Sequence, residues 1–132
     1  MRKLPKMLPR PPHPDSAVFA VVDEEALSFC RFVISGPRDT PYECGLFVFD
    51  VFLPQNYPAD PPMVNMVTTG QGTVRFNANL YTDGKVCLSL LGKDTGASVV
   101  GTDKWNPDTS SLWQVFASIQ TLVLVKDPYY NE

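Results

Sequence analysis

Leu46-Phe47-Val48-Phe49-Asp50-Val51-Phe52-Leu53 is apolar at every position but Asp50 and is rich in aromatic and β-branched side chains. Such residues fit a pleated surface, and a nearly unbroken apolar run predicts a central strand covered on both faces. Pro54 ends the run, and Pro58, Pro61 and Pro62 make the following connection rigid. Upstream, Ala17 to Val22 and Leu27 to Ile34 are two more runs of the same character, separated by Asp23-Glu24-Glu25, and predict a hairpin. The turn Ser35-Gly36-Pro37-Arg38-Asp39-Thr40-Pro41 leads from it into the central strand. Downstream, Met63 to Thr68 predicts a short fourth strand interrupted by Asn65. Four consecutive strands with short links favour an antiparallel meander.

Gly70 to Pro107 shows little periodicity, and a segment of that length inside a compact domain is more often functional than accidental. Ser110 to Val125 then places Leu112, Val115, Phe116, Ile119, Leu122 and Val123 on one helical stripe. Ser111 and Gln114 stand at capping-box spacing, and Pro128 stops the helix. Trp113, Ala117 and Leu124 form a second apolar stripe, which predicts a helix buried on two sides. The expected fold is α+β, an α/β sandwich with one four-stranded antiparallel sheet packed on a central helix.

The 132 residues fit one domain. Residues 1–14 hold Pro5, Pro9, Pro11, Pro12 and Pro14, which predict a Pro-rich basic leader ahead of a core spanning 15–132. The net charge of −3 is uneven: 4 of the 11 bases lie in residues 1–10, leaving 7 bases against 14 acids in the remainder. An acidic core without a basic stripe argues against a nucleic-acid partner. No stretch is long and apolar enough to span a bilayer or to serve as a secretory signal, which predicts a cytoplasmic or nuclear protein without a membrane partner. Cys30, Cys44 and Cys87 are odd in number and widely spaced, which suits a reducing compartment and disfavours a disulfide framework or a metal site.

Cys87 lies in the long irregular segment, within Val74-Arg75-Phe76-Asn77-Ala78-Asn79-Leu80-Tyr81-Thr82-Asp83-Gly84-Lys85-Val86-Cys87-Leu88. Asp83-Gly84 is a strong turn signal that can fold Asn79 toward Cys87, so a nucleophile and an amide donor can share one surface. On an extended segment Lys85 shares a face with the thiol. Taken alone, a cysteine between Val86 and Leu88 reads more simply as a small buried hydrophobe, and Asn79 as a loop-capping amide. The single histidine, His13, lies between prolines in the leader, so a Cys-His protease dyad is not supported. Chemistry from a thiol of nearly ordinary acidity remains, and thioester exchange meets that condition because its acyl group is already activated.

From Val18 to Glu132 the chain resembles the catalytic domain of ubiquitin-conjugating enzymes. The resemblance rests on Gly36-Pro37, Thr40-Pro41-Tyr42-Glu43 with Gly45, Tyr57-Pro58 with Pro61-Pro62, Asn77-Ala78-Asn79, Cys87-Leu88 and Trp105-Asn106-Pro107, arriving in the family's order. Thr68-Thr69-Gly70, Val74 to Asn77, Asp83 to Ser89 and Pro128 to Glu132 are similar to its large members, of the giant inhibitor-of-apoptosis type that joins conjugating and ligase functions. The resemblance implies that Cys87 accepts ubiquitin as a thioester from an activating enzyme and yields it to a substrate lysine. Asn79 aligns with the asparagine of the family's His-Pro-Asn motif, which stabilises the oxyanion or holds the active-site loop in shape. Glu132 falls where many members place an acid that orients the incoming lysine, with Asp127 as the fallback. Implied partners are ubiquitin, its activating enzyme, a ubiquitin ligase and protein substrates. No cofactor is implied, because ATP is used by the activating enzyme.

The chain departs from the family in five places. Asn77 replaces the motif's histidine and Ala78 its usual proline, so the loop's rigidity has to come from elsewhere. The stretch between Cys87 and Trp105 is longer than in short members and carries Gly92, Gly96 and Gly101, which predicts a mobile flap near the thiol. Ala59 and Asp60 replace the aromatic and basic pair that many members set against RING-type ligases. The prolines of the leader oppose the family's amino-terminal helix, and its last helices would lie beyond Glu132. The alternatives to a conjugating enzyme are an inactive variant of the fold that binds ubiquitin or a ligase, and a carrier of a ubiquitin-like modifier.

Overall fold

The alternating pattern of the three long apolar runs and the short fourth one resolves into strands β1 (Val18–Val22), β2 (Phe29–Ser35), β3 (Leu46–Phe52) and β4 (Met63–Met66). The computed structural model describes residues 15–22, 25–92 and 104–128. The leader 1–14, the greater part of the expected flap (93–103) and Glu132 lie outside these described residues. The strands form one antiparallel sheet in the order β1-β2-β3-β4, the expected meander.

Register places Phe32 opposite Phe49 and Ile34 opposite Phe47, all on the inner face and all buried. Helix α1 (Leu112–Ser118) packs over that face, with the Phe32 ring stacked on Phe49 at 5.1 Å and tilted against Phe116 at 3.8 Å between ring centroids. Val115, Ile119 and Val123 complete the core from the helical side, with Val51 and Met66 from the sheet. Rings in such contact add specific attraction to the burial of a large apolar area.

Among the described residues the central strand is covered on one face only, contrary to the expectation from its composition. Phe47, Phe49 and Val51 are buried, whereas Leu46 and Phe52 are exposed. Asp50 also turns outward, where its carboxylate accepts from Arg31 Nε at 2.6 Å and Nη2 at 2.8 Å across the register pair of β2 and β3. An apolar residue on the open face of an antiparallel sheet looks in sequence like one facing a second layer.

The capping box is present: Gln114 N donates to Ser111 Oγ and Ser111 N to Gln114 Oε1. A single regular helix to Val125 is not what forms, however. After Ser118 the chain widens into a π-helical turn, Ile119–Val123, in which Leu124 N donates to Ile119 O at 3.0 Å. The extra residue per turn shifts the register. Ile119, Gln120, Val123 and Leu124 are therefore buried, while Leu122, assigned to the buried stripe, is 61% exposed. Trp113 and Ala117 of the second stripe are half-buried.

Candidate active site

Among the described residues between β4 and α1 the chain is held by turns, isolated pairs and one 3-10 turn, Ser89–Leu91. Gly84, with φ of +90°, closes the turn in which its N–H donates to Tyr81 O at 3.0 Å. Lys85 N donates to Asp83 Oδ1 at 3.0 Å and Tyr81 N to Lys85 O at 3.0 Å, so residues 80–86 double back on themselves. Met66 N donates to Gly84 O at 2.7 Å, which ties the turn to the edge of the sheet.

Leu80 and Val86 face each other across this hairpin and are both buried. Side chains alternate along extended backbone, so anchoring Val86 inward turns Cys87 outward. Its thiol is exposed, the opposite of the buried-hydrophobe reading. Cys30 is buried instead, and its thiol is pushed up from its ordinary pKa by that burial and, secondarily, by Asp50. Cys44 is exposed and has φ of +64°.

Asn79 and Cys87 are brought together by two reciprocal bonds: Cys87 N donates to Asn79 O at 2.8 Å and Asn79 Nδ2 to Cys87 O at 2.9 Å. The Asn79 amide is thus aimed at the backbone of the cysteine and holds the loop. Lys85 is exposed and lies with Nζ 5.6 Å from the centroid of the Tyr81 ring, which also carries the Arg75 guanidinium at 4.7 Å. Arg75 Nη2 donates to Ala78 O at 3.0 Å.

Two connections frame this loop. Tyr42, from the Thr40-Pro41-Tyr42-Glu43 turn, packs edge-on against Phe47, which meets Phe76 in the same way. Its hydroxyl donates to Phe76 O at 2.8 Å and accepts from Asn77 Nδ2 at 3.0 Å. On the other side Trp105 packs on Tyr57, donates from Nε1 to Pro58 O at 2.7 Å, and donates from its backbone N–H to Gly92 O at 3.2 Å. That last bond joins the two ends of the 93–103 segment. Among the substituted ligase-contact positions, Ala59 is exposed and Asp60 half-buried. Glu132 lies outside the described residues, and Asp127, its fallback, is exposed.

The sequence reading missed the role of Asn77 in this geometry. Asn77 is 6% exposed, and its side chain spans three elements of the fold. A short polar residue in a loop signals a turn rather than a buried tie.

The family model for ubiquitin-conjugating enzymes matches residues 6–132. The chain is 55% identical over 117 residues to the dual E2 ubiquitin-conjugating enzyme/E3 ubiquitin-protein ligase BIRC6 of Homo sapiens, covering 89% of this chain and 2% of that protein. It is 44% identical over 119 residues to ubiquitin-conjugating enzyme E2 Z of Homo sapiens, covering 90% of this chain and 31% of that one. Among solved structures, human ubiquitin-conjugating enzyme E2 G1 superposes with a TM-score of 0.62 at 25% identity, covering 85% of this chain and 82% of that one. The E2 domain of a Toxoplasma gondii ubiquitin-conjugating enzyme gives 0.62 at 29%, covering 81% and 63%. The chain therefore belongs to the ubiquitin-conjugating enzyme family, and its resemblance to the giant conjugating enzyme/ligase type is borne out. The general reaction of that family is transfer through a cysteine thioester. The chain spans only a small part of the length of these curated relatives, from 2% to about a third.

Proposed function

We propose that this chain accepts ubiquitin from an activating enzyme as a thioester on Cys87 and transfers it to a substrate lysine. The observation that carries the reading is the exposed Cys87 thiol, in a Cys87-Leu88 motif that resembles the family's, on a hairpin held by reciprocal bonds with Asn79.

In the first step the Cys87 thiolate attacks the thioester carbonyl of ubiquitin on the activating enzyme, the new S–C bond forms, and that enzyme's thiolate leaves. In the second, a neutral lysine amine attacks the same carbonyl, the C–S bond breaks, and the amine's proton is lost to solvent or to a base. Asn79 serves the reaction by fixing the backbone of Cys87. One N–H of its amide is committed to Cys87 O, which shapes the loop, and the second N–H of the same NH2 group is the donor left to serve a developing oxyanion. Glu132, or Asp127 in its place, is proposed to orient the lysine. Ligase and substrates are partners of the same reading, and the exposed Ala59 with Asp60 beside it argues for a ligase contact unlike the common one.

The test is a non-reducing gel of the chain with ubiquitin, an activating enzyme and ATP, with Cys87→Ser alongside. A reductant-labile adduct in the wild type, replaced in the serine variant by a reductant-resistant ester or by nothing, supports the carrier role. A folded wild-type chain that takes no adduct refutes it and favours the binding-module alternative.

A further inference from the structure

We propose that Asn77 is a positioning residue for the thiol loop, clamping the Asn79–Cys87 hairpin to the end of the central helix. The proposal rests on the reading of Cys87 as the carrier and adds a residue that acts through Asn79.

The Asn77 side-chain oxygen accepts the backbone N–H of Asn79 at 2.8 Å. Its amide nitrogen donates to Val123 O at 2.9 Å and to Tyr42 Oη at 3.0 Å. The orientation of the carboxamide is fixed by chemistry: rotating it by half a turn would set its oxygen against the Val123 carbonyl and its NH2 against the Asn79 N–H. Val123 closes the π-helical turn, and its carbonyl accepts both the Val125 N–H at 2.9 Å and the Asn77 amide. One buried amide therefore joins the helix end, the Tyr42 turn and the residue whose own side chain holds Cys87. The rigidity that the absent histidine and proline of the motif do not supply is provided here by this amide. A buried network of this kind is rigid when every member is satisfied and loosens when one is removed.

Asn77→Ala removes these bonds to Asn79, Val123 and Tyr42 together. Asn77→Asp keeps the shape and the oxygen facing Asn79, but its second oxygen serves Val123 only when protonated. Three readouts test the clamp. Amide hydrogen exchange, which needs no activity, should quicken at Asn79 and Cys87 about tenfold or more in Asn77→Ala while β2 and β3 amides keep their protection. Single-turnover discharge of the charged enzyme to free lysine should slow about tenfold, and in an Asn79→Ala background the same change should add little, because both act through one hairpin. Relative to wild type at each pH, Asn77→Asp should recover exchange protection as the pH falls.

Unchanged exchange at Asn79 and Cys87 in a folded Asn77→Ala overturns the proposal, as does full additivity with Asn79→Ala. Loss of folding in both Asn77 variants also overturns it, in favour of a general structural role. If the wild type takes no ubiquitin, the carrier reading fails while the exchange measurement still decides the clamp.

Discussion

Replacing Gly84 by alanine should destabilise the domain by an amount the geometry sets. At φ of +90° an L side chain is strained, a cost of about 1–2 kcal/mol. The added Cβ would also sit 2.5 Å from Asn65 Oδ1 and 2.6 Å from Met66 O. Asn65 is exposed and can swing away, but Met66 O belongs to the β4 backbone, so relieving that clash costs about 1–3 kcal/mol more. The total is about 2–5 kcal/mol. Gly72 is the internal control: its φ is +78°, and the nearest atom to an added Cβ is Thr82 O at 3.7 Å. Gly72→Ala should therefore show only the backbone cost, about 1–2 kcal/mol. Urea unfolding of the two variants and the wild type measures both, and at about 3 °C per kcal/mol the Gly84 variant should melt about 6–15 °C lower. Equal losses in the two variants would refute the close approach of the 80–86 turn to β4, and with it the account of how the turn is held to the sheet edge.

Phe49→Ala and Ile119→Ala remove fully buried side chains of the one core, from the sheet and from the helical side, and should cost about 3–5 and about 2–5 kcal/mol; denaturant midpoints near wild type for both would sink the packing. Cys87→Ser, at an exposed site, should change stability by less than about 0.5 kcal/mol while abolishing the reductant-labile adduct, and a large stability loss would restore the buried-cysteine reading. Burial raises the pKa of Cys30, and of Tyr42, where the Asn77 hydrogen bond opposes the rise in part. A raised folded-state value means that the neutral form is held more tightly in the folded protein. The contribution is complete below the unfolded values, about 8.5 for cysteine and about 10 for tyrosine, and is lost as pH climbs through the folded ones. Stability should therefore decline on the alkaline side. Between pH 7.5 and 9.5 the decline should be shallower in Cys30→Ala than in wild type, as read from urea midpoints, and parallel curves would contradict the shift.

Periodicity and punctuation in the sequence determined the elements themselves. Alternation of apolar side chains and the intervening turns specify four strands in sequential order, and the Ser111–Gln114 box specifies where the helix starts, because these are local properties of the chain. The same local chemistry, with its family motifs, singled out Cys87 and Asn79. Tertiary structure decided what faces what. Whether Leu46 and Phe52 lie under a second layer or face outward depends on what packs over the sheet, and composition is the same in both cases. The π-helical turn, which moves Leu122 out and Gln120 in, follows from fitting the helix end to its surroundings and leaves no mark in a 3.6-residue pattern. The burial of Asn77 depends on Tyr42 and Val123, 35 and 46 residues away along the chain. Only folding brings those three groups within hydrogen-bond reach, so the sequence could show that the motif's histidine was missing but not which atoms stand in its place.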